Sequence, residues 1–306
     1  MEKNIHYYVK AKKAGKKTIS YSQLSMYTNC PKNWELQYKQ KLKKWEPTIF
    51  GVFGTAIHEC IQEFLTVMYS STAKQAEALP LANMLKTSMY ELYEKEVAKT
   101  GEHFSTADDL KSMYYEGTDI LDYLVKHRSK YFNRKDTELV GIEMPIFIPS
   151  DANSNVMILS FLDVVLKVND RIKILDLKTS TWGWNKNEKK KNGDQLRLYK
   201  KYFSKQYEVP EAEIDVEYLI MKRKLYEEGD FAQKRFQVFK PAAGKPSINK
   251  LEKKVSGFIN NVYNDDGSFR EDASFPATPG LKNCNCKWCP FAKNYEVCPK
   301  ENRIRP

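Results

Sequence analysis

The sequence has little glycine or proline, 13 of each in 306 residues, and that scarcity excludes collagen-like and low-complexity chains. It has no apolar run near the roughly 20 residues that a membrane-spanning helix requires. The lysine-studded stretch from Met1 to Lys17 lacks the apolar segment of a secretory signal, so a cytoplasmic protein with no membrane partner is expected. No G-x-x-x-x-G-K-[ST] loop is present, which leaves the chain without a visible ATP motor. Acidic residues are outnumbered: 39 Asp and Glu stand against 50 Lys and Arg, a net charge of +11.

What is present narrows the partners. A basic, lysine-rich surface releases counterions from a polyanion, and the 13% of aromatic residues can stack on bases. Nucleic acid is therefore the expected partner, with a generic basic protein as the plain alternative. The 42% of hydrophobic residues is enough for a large core. Six cysteines lie at 30, 60, 284, 286, 289 and 298. Four of them crowd the C-terminal region, which in a reducing compartment argues for metal or cluster binding before disulfides. Cys286-x-x-Cys289 alone could be half a zinc site. With Cys298 and Cys30 it gives four thiolates, which suit Zn²⁺ or a [4Fe–4S] cluster, and Cys284 is a competing thiol. Cys60 reads as a small buried side chain.

Residues 1–19 read as a loose basic lead-in. A short helix capped by Ser20 or Ser22 follows, ending near Cys30 because Pro31 disfavours helical geometry in the residue before it. Pro31 suits the first turn of a second helix over 32–41. A glycine-flanked segment (Gly51, Gly54) precedes a helix from Thr55 to about Tyr69, and apolar spacings of three and four predict helices over 81–99 and 107–132. Dense Val, Ile, Leu and Phe over 139–148, 156–168 and 171–179, with Asn169-Asp170 as a turn, predict a three-stranded meander. A helix over 195–206, strands over 214–222 and 234–240, and a helix over 247–263 complete the pattern, with Lys189-Lys190-Lys191 in a solvated loop. The expected fold class is α/β, a central mixed sheet flanked by helices. One domain over 20–306 is expected, with a helical part at 20–135, the core at 136–245 and a cysteine-rich tail at 246–306.

The chemistry centres on two strands. Alternation puts Asp176 and Lys178 on one face of theirs. In the preceding strand Leu162, Val164, Leu166 and Val168 are expected to fill the face opposite Asp163, and a tight hairpin brings Asp163 alongside Asp176. Charges inside apolar strands are costly to bury unless paired or bound to a metal. Two carboxylates can hold Mg²⁺ or Mn²⁺, and a lysine can orient water or stabilise charge on a phosphorane. An ordinary strand ion pair is the alternative.

In order along the chain stand Ser22-Gln23-Leu24 through Cys30-Pro31, Gly54-Thr55-Ala56-Ile57-His58-Glu59, Glu143, Asp163, Asp176-Leu177-Lys178-Thr179-Ser180, Gln195 with Tyr199, and Cys286 to Cys289-Pro290 with Cys298-Pro299. Over about residues 20–300 this resembles the RecB-like nucleases of the PD-(D/E)xK superfamily, nearest its iron–sulfur exonucleases of CRISPR loci and recombination helicases. The resemblance implies a restriction-endonuclease-like core, with His58, Asp163, Asp176 and the Leu177 carbonyl holding Mg²⁺ or Mn²⁺. It implies Lys178 as catalytic lysine, Gln195 as an orienting residue, and Glu143 as a further acid, with Glu138 nearby should the strand slip. It also implies a [4Fe–4S] cluster on Cys30, Cys286, Cys289 and Cys298, stapling the first helix to the tail, with Zn²⁺ the alternative. The implied activity is hydrolysis of DNA phosphodiesters by water, as an exonuclease on single-stranded DNA from 5′ ends, alone or with a helicase or recombination partner. A structure-specific endonuclease on flaps or branches, and a DNA-binding module with a degenerate site, are the alternatives. Strand contacts are expected from Tyr21, Trp182, Trp184, Lys186 and Lys189–Lys191, with Tyr199 touching DNA or supporting its helix.

Overall fold

Residues 2–19 are not the loose lead-in expected over 1–19. In the computed structural model, which describes residues 2–43, 46–226, 233–280 and 285–304, Glu2–Lys13 forms helix α1 and Lys17–Ile19 forms strand β1. Tyr7 packs on Phe147 and Phe161 at centroid distances of 5.4 and 5.9 Å, and Ala11 and Ile19 are buried. The helical pair Tyr7 and Ala11 is a weak signal among so many lysines.

Helix α2 (Tyr21–Asn29) starts where Ser20 accepts a hydrogen bond from the Gln23 amide, and it stops at Cys30 before Pro31. Helix α3 (Pro31–Trp34) passes into a π-helical turn, Glu35–Lys39. Helix α4 (Ile49–Ser70) begins six residues before the expected Thr55, because Thr48 caps the Gly51 amide and takes both glycines into the first turns. Helices α5 (Ala73–Glu77), α6 (Leu81–Thr100) and α7 (Ala107–Tyr131) follow, α7 opened by a reciprocal Thr106–Asp109 capping box. Gly117 lets α7 close on its neighbours, since a Cβ there would stand 2.5 Å from Leu85 Cδ2.

Strands β2 (Thr137–Pro149), β3 (Val156–Val168) and β4 (Arg171–Ser180) form the expected antiparallel meander. Asn169 and Asp170 both take positive φ (47° and 65°), the two-residue turn that matches strand twist. The lysine run lies in helix α8 (Lys186–Lys191), capped by Asn185 and Glu188, and not in a loop. Helix α9 (Gly193–Tyr207), strands β5 (Ile214–Lys222) and β6 (Phe236–Phe239) and helix α10 (Lys245–Val262) complete the regular elements. The sheet runs β1-β3-β4-β5-β6, with β2 on β3. Pairs β1–β3 and β4–β5 are parallel and the others antiparallel. Helices α4, α6 and α7 cover one face, and α2, α9 and α10 the other. No described helix is long and apolar enough to cross a membrane.

The alternation expected of β3 breaks at Asp163. Val164 and Leu166 pack with the α4 side of the sheet, but Leu162, also at an even position, packs with the α9 side. Opposite it in β2 the same reversal separates Ile142 from Met144, and Glu143 between them has φ 49°, a left-handed backbone costing an ordinary residue about 1–2 kcal/mol. Strand β3 pairs with β4 only from Val164 to Val168. Asp163 is thus the residue at which β3 parts from β4, and the sheet forks there.

Candidate active site

The fork draws side chains from both faces together. Asp163 Oδ2 accepts a 2.7 Å hydrogen bond from the Leu177 amide, so the carboxylate stands in for the strand partner that β4 loses where β3 turns away. Lys178 and Asp176 share one face of β4, Nζ 2.6 Å from Oδ2. From the α4 side His58 brings its Nδ1 to 3.8 Å from Asp163 Oδ2. One turn further along α4, Gln62 Nε2 donates to Glu143 Oε1 at 2.7 Å and to the Asp163 carbonyl at 3.2 Å. Gln62 thereby ties the two reversed positions together. No sequence motif marks Gln62, and its place four residues after His58 on a helix is the one signal for it.

The electrostatics are those of charged residues largely withdrawn from water. Asp176 is 1% exposed while the Lys178 side chain is 33% exposed, so solvent enters past the lysine. Burial pushes both Asp163 and Asp176 up to about 6, against the pull of Lys178; for Asp176 the like charge of Asp163 adds to the rise. Burial alone would lower Lys178, but Asp176 and Asp163 hold it above the ordinary lysine value. His58 is lowered to about 4 by burial and then by Lys178, so it is a neutral imidazole at physiological pH. Asp176 Oδ2 has no hydrogen bond of good geometry, only the ammonium charge beside it. An orphaned buried carboxylate oxygen next to a second carboxylate and a neutral imidazole is a donor set that suits Mg²⁺ or Mn²⁺.

The other expected residues divide. Gln195 Nε2 donates to the Tyr199 hydroxyl at 2.6 Å, and Tyr199 is buried, so its position supports Gln195 and offers no surface to a strand. Tyr21 faces Lys178 and Asp194. Trp182 is 45% exposed and stacks on Tyr226 at 4.9 Å, whereas Trp184 is half-buried against Tyr218. Lys186 is exposed at the start of α8. Glu138 pairs with Lys167 far along β2, which leaves Glu143 as the acid at the fork.

A model of the PD-(D/E)XK nuclease superfamily matches residues 18–299. The chain belongs to that superfamily. No curated protein matches it. Membership makes the chain a nuclease by family and agrees with the mixed sheet flanked by helices described above.

This PD-(D/E)XK nuclease carries a second group of residues in its tail. Cys30, Cys286, Cys289 and Cys298 border one small cavity, Cys30 and Cys298 act electrostatically on Cys286, and all three act on Cys289. Burial raises the Cys286 and Cys289 thiols. Arg303 counters this at Cys286, donates to the Ala292 and Cys298 carbonyls, and leaves its buried Nε without an acceptor. Cys284 lies outside the described residues, and Cys60 is buried in α4, away from the tail. Among the described residues, no three His, Cys, Asp or Glu side chains stand in a ready-made ligand arrangement, at the fork or at the tail. Both are groups of donors facing one space. Four sulfurs with a half-buried guanidinium beside them form a donor set suited to Zn²⁺ or to a cluster carrying net negative charge.

Proposed function

We propose that this nuclease is a metal-dependent exonuclease on single-stranded DNA, working from 5′ ends in repair, recombination or the processing of phage or CRISPR DNA. The observation that carries the reading is the fork: Asp163, Asp176, Lys178 and His58 surround a buried carboxylate oxygen whose one partner is the Lys178 ammonium. Asp163, Asp176, His58 and the Leu177 carbonyl would hold a Mg²⁺ or Mn²⁺ ion, whose chemistry there is Lewis-acid polarisation of the phosphodiester. Lys178, charged and on the solvent side, stabilises negative charge that develops on the phosphoryl oxygens and orients the attacking water. Gln195, fixed by Tyr199, reaches the same space from α9. Glu143, held by Gln62, keeps Asp163 at the point where the strands part. The exposed Trp182–Tyr226 stack beyond the end of β4 gives a base a flat aromatic surface. In the tail, Cys30, Cys286, Cys289 and Cys298 would hold a [4Fe–4S] cluster or Zn²⁺ that ties α2 to the C-terminal segment.

End-labelled single-stranded DNA, incubated with Mg²⁺ or Mn²⁺ and wild-type or Asp176→Ala protein, tests this reading. The expected result is progressive loss from the 5′ end by the wild type and none by the variant. Discrete internal cuts would mean an endonuclease, and DNA retarded but intact with folded wild type would mean a binding module. Cleavage that survives in the variant would put the active site elsewhere.

A further inference from the structure

Away from the fork, the charge of the chain is concentrated in one place. Residues 1–43 hold ten lysines and two glutamates, a net +8 of the total +11. The fold wraps this segment around a cleft of about 570 Å³ whose lining includes Tyr8, Lys12, Lys16, Lys17, Lys41 and Phe269. Such a volume lies within the range of small-molecule sites. None of these four lysines has an acid partner among the described residues. Lys16 reaches the Ser154 carbonyl at 3.2 Å, Lys17 lies over the Phe269 ring at 5.1 Å, and the nearby Glu35 is taken by Lys32. Some lysines elsewhere on the molecule are matched to acids, as Lys201 is to Glu252, Lys205 to Asp151 and Lys254 to Asp194. Unmatched ammonium groups around one concavity repel each other, and a polyanion relieves that repulsion while releasing counterions. Tyr8, 49% exposed, adds ring surface of the kind on which unpaired bases stack.

The cleft is joined to the fork by one turn of helix. Gln23 lines the cleft and donates to the Thr18 carbonyl at 3.1 Å, while Tyr21, two residues earlier in α2, faces Lys178. We infer that the cleft of α1, β1 and the π-helical turn is a second nucleic-acid contact, which holds the phosphate backbone of a single strand whose reacting phosphodiester lies at the fork. The inference rests on the nuclease reading, and it assigns to the first 43 residues a substrate-holding task independent of metal.

The test measures binding and chemistry separately on the full chain. Anisotropy of a labelled thymidine oligonucleotide, in EDTA and over a salt series, compares wild type with the triple variant Lys12→Gln, Lys16→Gln, Lys41→Gln. Each lost phosphate contact to a single strand lowers the salt slope by about 0.7, so a fall of about 2 is expected, with at least about tenfold weaker binding at low salt. The matching Lys→Arg triple should bind like wild type. A charge-matched control, Lys86→Gln, Lys95→Gln, Lys111→Gln on the exposed sides of α6 and α7, should change little. Mn²⁺-dependent hydrolysis of bis(p-nitrophenyl) phosphate, too small to reach the cleft, should be the same in every variant that melts like wild type. Unchanged oligonucleotide binding, or an equal loss in the control, overturns the inference while leaving the active site standing. A loss confined to binding of polyglutamate overturns it too, in favour of an acidic peptide. Absence of hydrolysis in all proteins overturns the nuclease reading instead, and the binding comparison still reads.

Discussion

The fork and the tail gather metal-binding side-chain types in opposite settings. The fork lies between two extensive cores: Val164, Leu175 and Leu177 pack toward α4 on one side, and Leu162, Tyr199 and Tyr218 toward α9 on the other. Its backbone is fixed by packing whether or not a metal is bound. Among the described residues, the buried apolar cluster of the tail is Leu36, Ala277, Phe291 and Cys298, and the tail is tied to α2 by contacts such as the Thr278 amide on Cys30 Sγ at 3.4 Å. So small a core contributes little burial free energy. The difference separates two uses of an ion. At the fork a bound ion would serve chemistry on a frame that stands without it; at the tail a bound ion or cluster would supply the cohesion that burial does not.

The largest effect expected of a substitution in either region is on rate. Lys178→Ala should lower metal-dependent DNA cleavage at least about 10²–10³-fold, the usual cost of removing a group that stabilises transition-state charge. Circular dichroism and a thermal melt check that the frame persists. Next comes the tail. Cys30→Ser should leave cleavage of a small phosphodiester within reach of wild type, yet raise the rate of limited proteolysis in residues 277–304 at least about tenfold, or about 1.4 kcal/mol of easier opening. Iron, zinc and sulfide analysis of both proteins reports which group, if any, is lost.

The third prediction is one of sign. Burial raises Asp163 and Asp176 from 3.8 to about 6, so the fold favours their protonated forms. Their contribution to stability is complete below about pH 3.8 and is lost as pH rises through 6. His58, lowered from 6.5 to about 4, runs the other way: its contribution is complete above 6.5 and is lost as pH falls through 4. Asp176→Asn should therefore stabilise the metal-free protein at pH 7 by about 2–3 kcal/mol, since each tenfold change in proton affinity is about 1.36 kcal/mol, and the gain should vanish near pH 4. Chemical denaturation at both pH values checks it. Gln62→Leu deprives Glu143 of its donor and should cost about 1 kcal/mol of stability with a lesser loss of rate, as a thermal melt and a cleavage assay would show.

The sequence carried more of the site than of its scaffolding. Asp163, Asp176 and Lys178 were legible because charges inside apolar strands stand out, and the Asn169-Asp170 turn fixed the strand register. The reversal at Asp163 and Glu143 was not legible, because a fork arises from which strand each end of β3 pairs with, and alternation within one strand does not record that. Helix α1 and strand β1 were hidden by composition: the lysines mark solvent, and Tyr7 and Ile19 make contacts to β2 and β3 more than a hundred residues away. Tyr199 shows the same limit, since helical spacing from Gln195 gave the pairing but not its burial.

The fork as a preformed metal site is tested most sharply by calorimetric titration of Mn²⁺ into metal-free wild type and Asp176→Asn, with thermal melts of each before and after. Wild type should bind Mn²⁺ and gain stability from it, whereas Asp176→Asn should start out more stable at pH 7, bind weakly and gain nothing. A variant that binds Mn²⁺ as wild type does, or a wild type whose frame unfolds until Mn²⁺ is added, would contradict that assignment.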